Sequence, residues 1–162
     1  MKFEILSFNK LQEFENKCQE KHIIIRYISP GIEYPNITIS QQCMGVAVVN
    51  CHDIERPMTP FNAQVIEDYP DFYKKPYVYF NKHMAEYILD FVYFNKNQNN
   101  VDLIVCQCHA GISRSSATAA ALSKIFNKDD MWVFNNNRGW VPNNLIYRTI
   151  LEQNDLEMCI NE

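Results

Sequence analysis

The sequence predicts an α/β fold: one domain spanning residues 1–162, with a central, mostly parallel sheet of four or five strands flanked by helices. Three observations predict it. Short runs rich in β-branched residues alternate with helix-period segments, the order seen in parallel-sheet folds. The run Ile23, Ile24, Ile25, Tyr27, Ile28 is almost wholly apolar, as a buried strand should be. A length of 162 residues suits a single core, and no repeat or linker divides it.

The elements follow in order. Lys2 to Leu6 reads as a short strand. Ser7 or Asn9 caps a helix through about Gln19, with Leu11 and Phe14 on its inner face. The strand at 23–28 comes next, and Pro30-Gly31 ends it. Gly45 to Asn50, with Val46, Val48 and Val49, is another strand. From Cys51 to Pro76 four prolines make a long loop region with one short helical piece, and long loops in compact domains are often functional. Tyr77 to Asn95 turns helical: Phe80, Met84, Tyr87, Phe91 and Phe94 recur at three- and four-residue intervals and read as a core-facing stripe. Val101 to Cys106 is a strand, His109 to Arg114 a turn, and a small-residue helix runs from near Ser115 to about Phe126. Asn135 to Asn137 and Gly139 break the chain. Pro142-Asn143 then opens a last helix through Leu151.

Composition narrows the function classes. The apolar share of 47% is that of a folded globular chain rather than a disordered one. A formal net charge of -4 disfavours general nucleic-acid binding. Met1 to Leu11 carries Glu4 and no long apolar run, and no window reaches the ~20 apolar residues of a membrane helix. The expectation is a soluble, intracellular, cytoplasmic protein without membrane contact. The six cysteines (Cys18, Cys43, Cys51, Cys106, Cys108 and Cys159) lack the paired CxxC spacing of a structural zinc site. Without a secretory signal, a disulfide framework is not expected either.

Chemistry concentrates in Cys108-His109-Ala110-Gly111-Ile112-Ser113-Arg114-Ser115, between a buried strand and a helix start. Backbone N–H groups of such a turn, with the first free N–H groups of the helix, face inward and hold an oxyanion. Gly111 permits tight backbone geometry that a side chain would obstruct. Arg114 closes the ring with a planar fork suited to two phosphate oxygens. A cysteine in that field ionises more easily, and the thiolate is the nucleophile. His109, Ala110, Gly111, Ile112, Ser113 and Arg114 are therefore the expected phosphate-binding residues, and Cys108 the nucleophile. A lone cysteine would read as an inert core residue; the spacing of Cys, Gly, Arg and Ser argues otherwise. His109 reads as a rim residue rather than a base. Cys106 reads as a small buried strand residue rather than an oxidative trap for Cys108.

At these residues the chain resembles the protein tyrosine phosphatase superfamily, whose signature is Cys, five residues, Arg, then Ser or Thr. Cys108, Arg114 and Ser115 match it. Ser29-Pro30-Gly31, His52-Asp53-Ile54 and Pro142-Asn143 are similar to landmarks of the small dual-specificity-like members of bacteria and viruses. The resemblance implies a phosphocysteine intermediate on Cys108, an aspartic acid that protonates the leaving oxygen, and Ser115 assisting departure of the thiolate. It implies no metal and no cofactor. The family's acid usually follows the strand, as Asp53 does; the usual distance to the cysteine favours Asp68 or Asp71. Expansion of the loop from Asp53 to Tyr77 accounts for the difference, so Asp53 is the chosen acid and Asp68 and Asp71 read as surface carboxylates. Asn143 either buttresses the loop or simply caps the last helix. Gln107 stands where the family usually carries His, which bears on rate more than on reaction class.

The implied partner is a phosphorylated protein or peptide, with phosphotyrosine favoured. No Lys lies between His109 and Ser113, which disfavours phosphoinositides with several phosphates; RNA 5′-phosphates remain an alternative. A catalytically weak module that binds phosphoprotein is the main competing class. A rhodanese-type sulfur transferase fits the Arg114 and Ser115 spacing less well. The low-molecular-weight phosphatases and related arsenate reductases carry their loop near the N-terminus, which position 108 disfavours.

Overall fold

Four parallel strands form the centre of the computed structural model, which describes residues 1–55 and 77–160. They are β1 (Lys2–Ser7), β2 (His22–Ile28), β3 (Cys43–Asn50) and β4 (Leu103–Cys108), in the spatial order β1-β4-β2-β3. All three pairings are parallel. Five helices accompany them among the described residues: α1 (Phe8–Lys17), α2 (Lys82–Asn99), α3 (Arg114–Asn127), α4 (Met131–Phe134) and α5 (Asn144–Ile160). The predicted α/β class with a central parallel sheet is what the chain adopts.

Alternation along the strands sorts side chains to two faces. Leu11 of α1 packs with Ile24 and Val105 on one face. Ile23, Ile25, Tyr27, Val49, Ile104, Cys106 and Cys108 meet α2, α3 and α5 on the other, in the larger core. α3 is buried along almost its whole length, from Arg114 to Ser123. Its run of Ala117, Ala119, Ala120 and Ala121 explains how: small side chains let the helix sit close to both the sheet and α5.

Several boundaries differ from the sequence reading. β4 extends through Gln107 and Cys108 rather than stopping at Cys106, because β1 continues to pair with it as far as Leu6 and Ser7. β3 begins at Cys43, two residues before Gly45. Ser7 is the residue before α1 but makes no side-chain cap, and α1 ends at Lys17 rather than Gln19. α5 runs nine residues beyond Leu151, and a short helix, α4, not expected from the sequence, immediately precedes the break at Asn135. The short helical piece expected within 51–76 falls largely outside the described residues.

The helix expected from Tyr77 starts at Lys82, because Asn81 caps it: Asn81 Oδ1 accepts from the N–H groups of His83 (3.1 Å) and Met84 (3.3 Å). It ends at Asn99, where Asn100 takes the left-handed conformation that Asn tolerates. The aromatic stripe is also corrected. The buried face of α2 is Ala85, Ile88, Leu89, Val92 and Asn95. Met84 and Phe91 flank it, while Tyr87 and Phe94 are exposed at 47% and 61%. Phe94 lies two residues past Val92, about 200° round the helix, so both cannot face the core. Spacing alone could not choose between two overlapping stripes; the aliphatic one packs more closely.

Ile88→Ala should therefore cost about 2–5 kcal/mol of unfolding free energy. Phe94→Ala should stay within about 0.5 kcal/mol of the parent. Urea titrations of the two variants check this, and equal losses would contradict the assigned face.

Candidate active site

β4 delivers Cys108 to the C-terminal edge of the sheet as its last residue, 2% exposed and paired in register with Ser7. The chain then turns through 109–113 and enters α3 at Arg114. Gly111 has φ +72°, a conformation side chains disfavour, and a Cβ there would lie 2.5 Å from Ser7 N. No other residue fits that position without moving backbone.

Three of the loop's carbonyls are taken up by its surroundings. His109 O accepts from Phe8 N–H (3.0 Å), Ile112 O from Val141 N–H (3.1 Å), and Ser113 O from Asn143 N–H (3.2 Å). Ser116 Oγ, in the first turn of α3, shares its one hydrogen between Ile112 O and Ser113 O. The N–H groups of Gly111, Ile112 and Ser115 face the sulfur of Cys108. Ser115 Oγ lies 3.1 Å from Cys108 Sγ.

These contacts decide the thiol's acidity. Burial pushes the Cys108 thiol up, but the Ser115 hydroxyl and the three N–H groups outweigh it, so its pKa falls below the ordinary value. Two other thiols of the same core go the opposite way: burial pushes Cys51 up to about 12 and Cys106 higher still. Cys106 is a fully buried strand residue, as the sequence reading favoured.

Arg114 is buried at the start of α3 and tethered from two distant loops. Its Nη1 donates to Cys51 O (2.7 Å) and to Ser29 Oγ (3.0 Å). Its carbonyl accepts from Thr118 Oγ1 (3.1 Å). Thr118 spends its hydrogen there, so Tyr27 donates to Thr118 Oγ1 (2.7 Å), tying the arginine's backbone to β2. Arg114 Nε is buried with no hydrogen-bond partner among the described residues. Among the described residues, Asp53 Oδ2 lies 3.9 Å from it. A buried guanidinium N–H without a partner is costly and suits an incoming anion.

Asp53 stands beside the loop. Its Oδ1 accepts from Ser113 Oγ and from Asn143 Nδ2, each at 2.8 Å. Asn143 also caps α5, its Oδ1 accepting from Ile146 N–H (3.1 Å). The two readings of Asn143 are thus one residue using both ends of its amide. Asp68 and Asp71 lie outside the described residues. Gln107 is fully buried, and its Nε2 donates to Cys108 O (2.8 Å), restraining the carbonyl of the residue that carries the thiol. His109 is exposed, its ring edge-on to Tyr34 at 6.1 Å between centroids. Ser29 and the Cys51 carbonyl were not singled out as arginine tethers, and no local signal would have done so: they lie 85 and 63 residues from Arg114. The described residues that cluster with metal-ligand chemistry, Glu15, His22 and Cys43, belong to the opposite end of the sheet.

No protein-family model matches the chain, and no curated protein matches its sequence. Solved structures do match. The Cydia pomonella PTP-2 phosphatase superposes with a TM-score of 0.56 at 12% identity, covering 94% of this chain and 85% of that one. PTPMT1, solved in complex with PI(5)P, gives 0.56 at 10% identity over 99% and 95%. Human DUSP28 gives 0.51 at 11% identity over 98% and 94%. The chain therefore has the fold of the protein tyrosine and dual-specificity phosphatases. The match does not single out a bacterial or viral type.

A thiol acidified in this way should react with iodoacetamide at lower pH than an ordinary cysteine. Ser115→Ala removes the hydroxyl that stabilises the thiolate, so the midpoint of the alkylation–pH profile of Cys108 should move up. A midpoint that does not move would mean that Ser115 contributes nothing to the ionisation. Gly111→Ala should raise the midpoint as well and lower thermal stability, since Ser7 or the loop must shift.

Proposed function

We propose that the chain is a cysteine-dependent phosphomonoester hydrolase, acting on phosphorylated protein or peptide with phosphotyrosine favoured. The observation that carries this reading is the cradle itself. An acidified Cys108 sulfur sits under inward N–H groups, beside a buried Arg114 whose Nε has no hydrogen-bond partner among the described residues. The fold shared with tyrosine and dual-specificity phosphatases supports the same class.

In this reading the phosphate occupies the ring of His109, Ala110, Gly111, Ile112, Ser113 and Arg114. The Cys108 thiolate attacks phosphorus as the ester P–O bond breaks, and the leaving oxygen takes a proton from Asp53. Ser113 and Asn143 hold Asp53 Oδ1, so the proton is carried on Oδ2. Water then attacks the phosphocysteine and gives a proton to Asp53, and the S–P bond breaks. The departing thiolate is received by the Ser115 hydroxyl, 3.1 Å away. No metal takes part.

Two observations bear on the substrate. Ile112 and Val141, joined through Val141 N–H and Ile112 O, are exposed at 41% and 65% and give the rim an apolar edge. An aryl ring gains from that edge; a headgroup with several phosphates does not. PTPMT1, the neighbour solved with PI(5)P, makes the phosphoinositide the natural comparison substrate. An RNA 5′-phosphate is the other. The intact set of Cys108, Arg114 and Ser115 weighs against a module that only binds.

Cys108→Ser should abolish turnover of an aryl phosphate while vanadate or phosphate binding stays measurable. Substantial turnover by this variant would remove Cys108 from the mechanism. Arg114→Lys should lose both activity and oxyanion affinity, since a point cation cannot reproduce the fork.

Asp53→Asn should slow hydrolysis of phosphotyrosine by roughly 100- to 10,000-fold and of a nitro-substituted aryl phosphate far less, because only the basic leaving group needs the proton. Asp68→Asn and Asp71→Asn should stay near the parent. If either shows the leaving-group dependence instead, that residue is the acid.

A further inference from the structure

Glu15, His22 and Cys43 come from three separate segments and meet at the N-terminal edge of the sheet. Glu15 is on α1, His22 opens β2 and Cys43 opens β3, where it pairs in register with His22. Glu15 and His22 are buried and Cys43 is partly buried. One carboxylate oxygen, one imidazole nitrogen and the thiol sulfur all lie within 4.8 Å of one another.

The imidazole is the informative group. Its Nδ1 lies 2.8 Å from the carbonyl of Glu20, so Nδ1 carries a hydrogen and donates. Its Nε2 lies 2.7 Å from Glu15 Oε1. A neutral imidazole has one N–H and here faces two acceptors, so the pair needs one further positive centre: a proton or a cation. An ion pair alone would explain that contact, but not the groups around it. Ser40 N–H donates to Glu15 Oε2 (2.8 Å), and Ser40 Oγ is buried without a partner among the described residues. Among the described residues the Cys43 thiol donates to Gly45 O, at 3.3 Å.

We propose that Glu15, His22 and Cys43 form a three-ligand site for a divalent, borderline-soft cation, foremost Zn2+, with water in the fourth position. Mixed O, N and S donors suit that ion. Charge also balances: a carboxylate, a thiolate and a neutral imidazole leave Zn2+ with no net charge, as a buried site requires. The Nδ1–H bond to Glu20 O is the outer contact that orients a ligand histidine and frees Nε2 for metal. Zinc bonds of about 2.0–2.3 Å set donors about 3.2–3.8 Å apart, so Nε2 and Oε1 must open by roughly 0.5–1 Å. Binding releases two protons, one from the Cys43 thiol and one shared by His22 and Glu15. Cys18 Sγ lies 3.6 Å from Nδ1, on the donor side of the ring, and is not a ligand.

His22 pairs with Leu103, five residues before Cys108 on β4, so this site lies about 16 Å from the cradle. It joins α1 to the starts of β2 and β3 and takes no part in the proposed hydrolysis.

The test uses the full chain carrying Cys108→Ser, so that the cradle thiolate cannot bind metal, after chelator treatment. Zn2+ titrated against a chromophoric chelator should bind at one equivalent. Co2+ should produce a thiolate-to-metal charge-transfer band and the visible intensity of a tetrahedral site. Adding Cys43→Ser should abolish the band and weaken Zn2+ at least about tenfold, the smallest loss usual even for an outer-shell partner. Glu15→Gln should weaken Zn2+ similarly, and Cys18→Ser should leave it unchanged. Absence of the Co2+ band in the parent of this series, or Zn2+ affinity indifferent to both Cys43→Ser and Glu15→Gln, would overturn the site. Glu15 and His22 would then be an ion pair and nothing more.

Discussion

Gly111 packs against the β1–α1 junction with no room for a Cβ, and the geometry of the loop depends on that contact. It is possible because β1 pairs with β4 as far as Ser7, beside Cys108. Phe8, the next residue, donates its N–H to His109 O. One edge of the loop is thus held by the end of a strand and the start of a helix, both set by the sheet's register. The opposite edge is held by the segment before α5, through Val141 and Asn143. The outward carbonyls of His109, Ile112 and Ser113 fix the peptide planes they share with the N–H groups of Ala110, Ser113 and Arg114, while the N–H groups of Gly111, Ile112 and Ser115 face the Cys108 sulfur.

That polarity separates Cys108 from the thiols around it. Cys51, Cys106 and Cys108 belong to one core, and burial alone raises all three. Only Cys108 lies at the mouth of a helix with N–H groups and a hydroxyl directed at the sulfur. Hydrogen bonds to the charged form then exceed the desolvation that opposes it. Arg114 follows a related logic. Two acceptors occupy Nη1 and a third group holds its backbone, so the guanidinium is placed before any anion arrives. Such placement lowers the ordering that binding would otherwise require.

A parallel sheet has two unlike edges. Its C-terminal edge carries the acidified thiol, the arginine and Asp53, drawn from the end of β4, the start of α3 and the segment after β3. Its N-terminal edge carries Glu15, His22 and Cys43, where α1 and the starts of β2 and β3 converge. The proposed anion chemistry and the proposed cation site therefore stand at opposite ends of the same strands. Each uses what its edge offers: free N–H groups at a helix start in one case, side-chain donors from three segments in the other.

What the sequence determined by itself was local. Apolar β-branched runs and small-residue or capped helices marked the class and most elements, because periodicity and turn chemistry act within a few residues. Cys108, Gly111, Arg114 and Ser115 stood out for the same reason: their spacing sits within one strand–turn–helix unit. Where two local patterns overlapped, as in α2, the sequence could not say which face packs, and Tyr87 and Phe94 were assigned inward in error. Tertiary structure alone decided the rest. It brought Asp53 to Ser113 and Asn143 and tethered Arg114 to Ser29 and Cys51. It also set Glu15, His22 and Cys43 against one another, through contacts between segments that are far apart in the chain. Such contacts leave no periodic trace, because they follow from how strands register and helices pack rather than from any residue's neighbours.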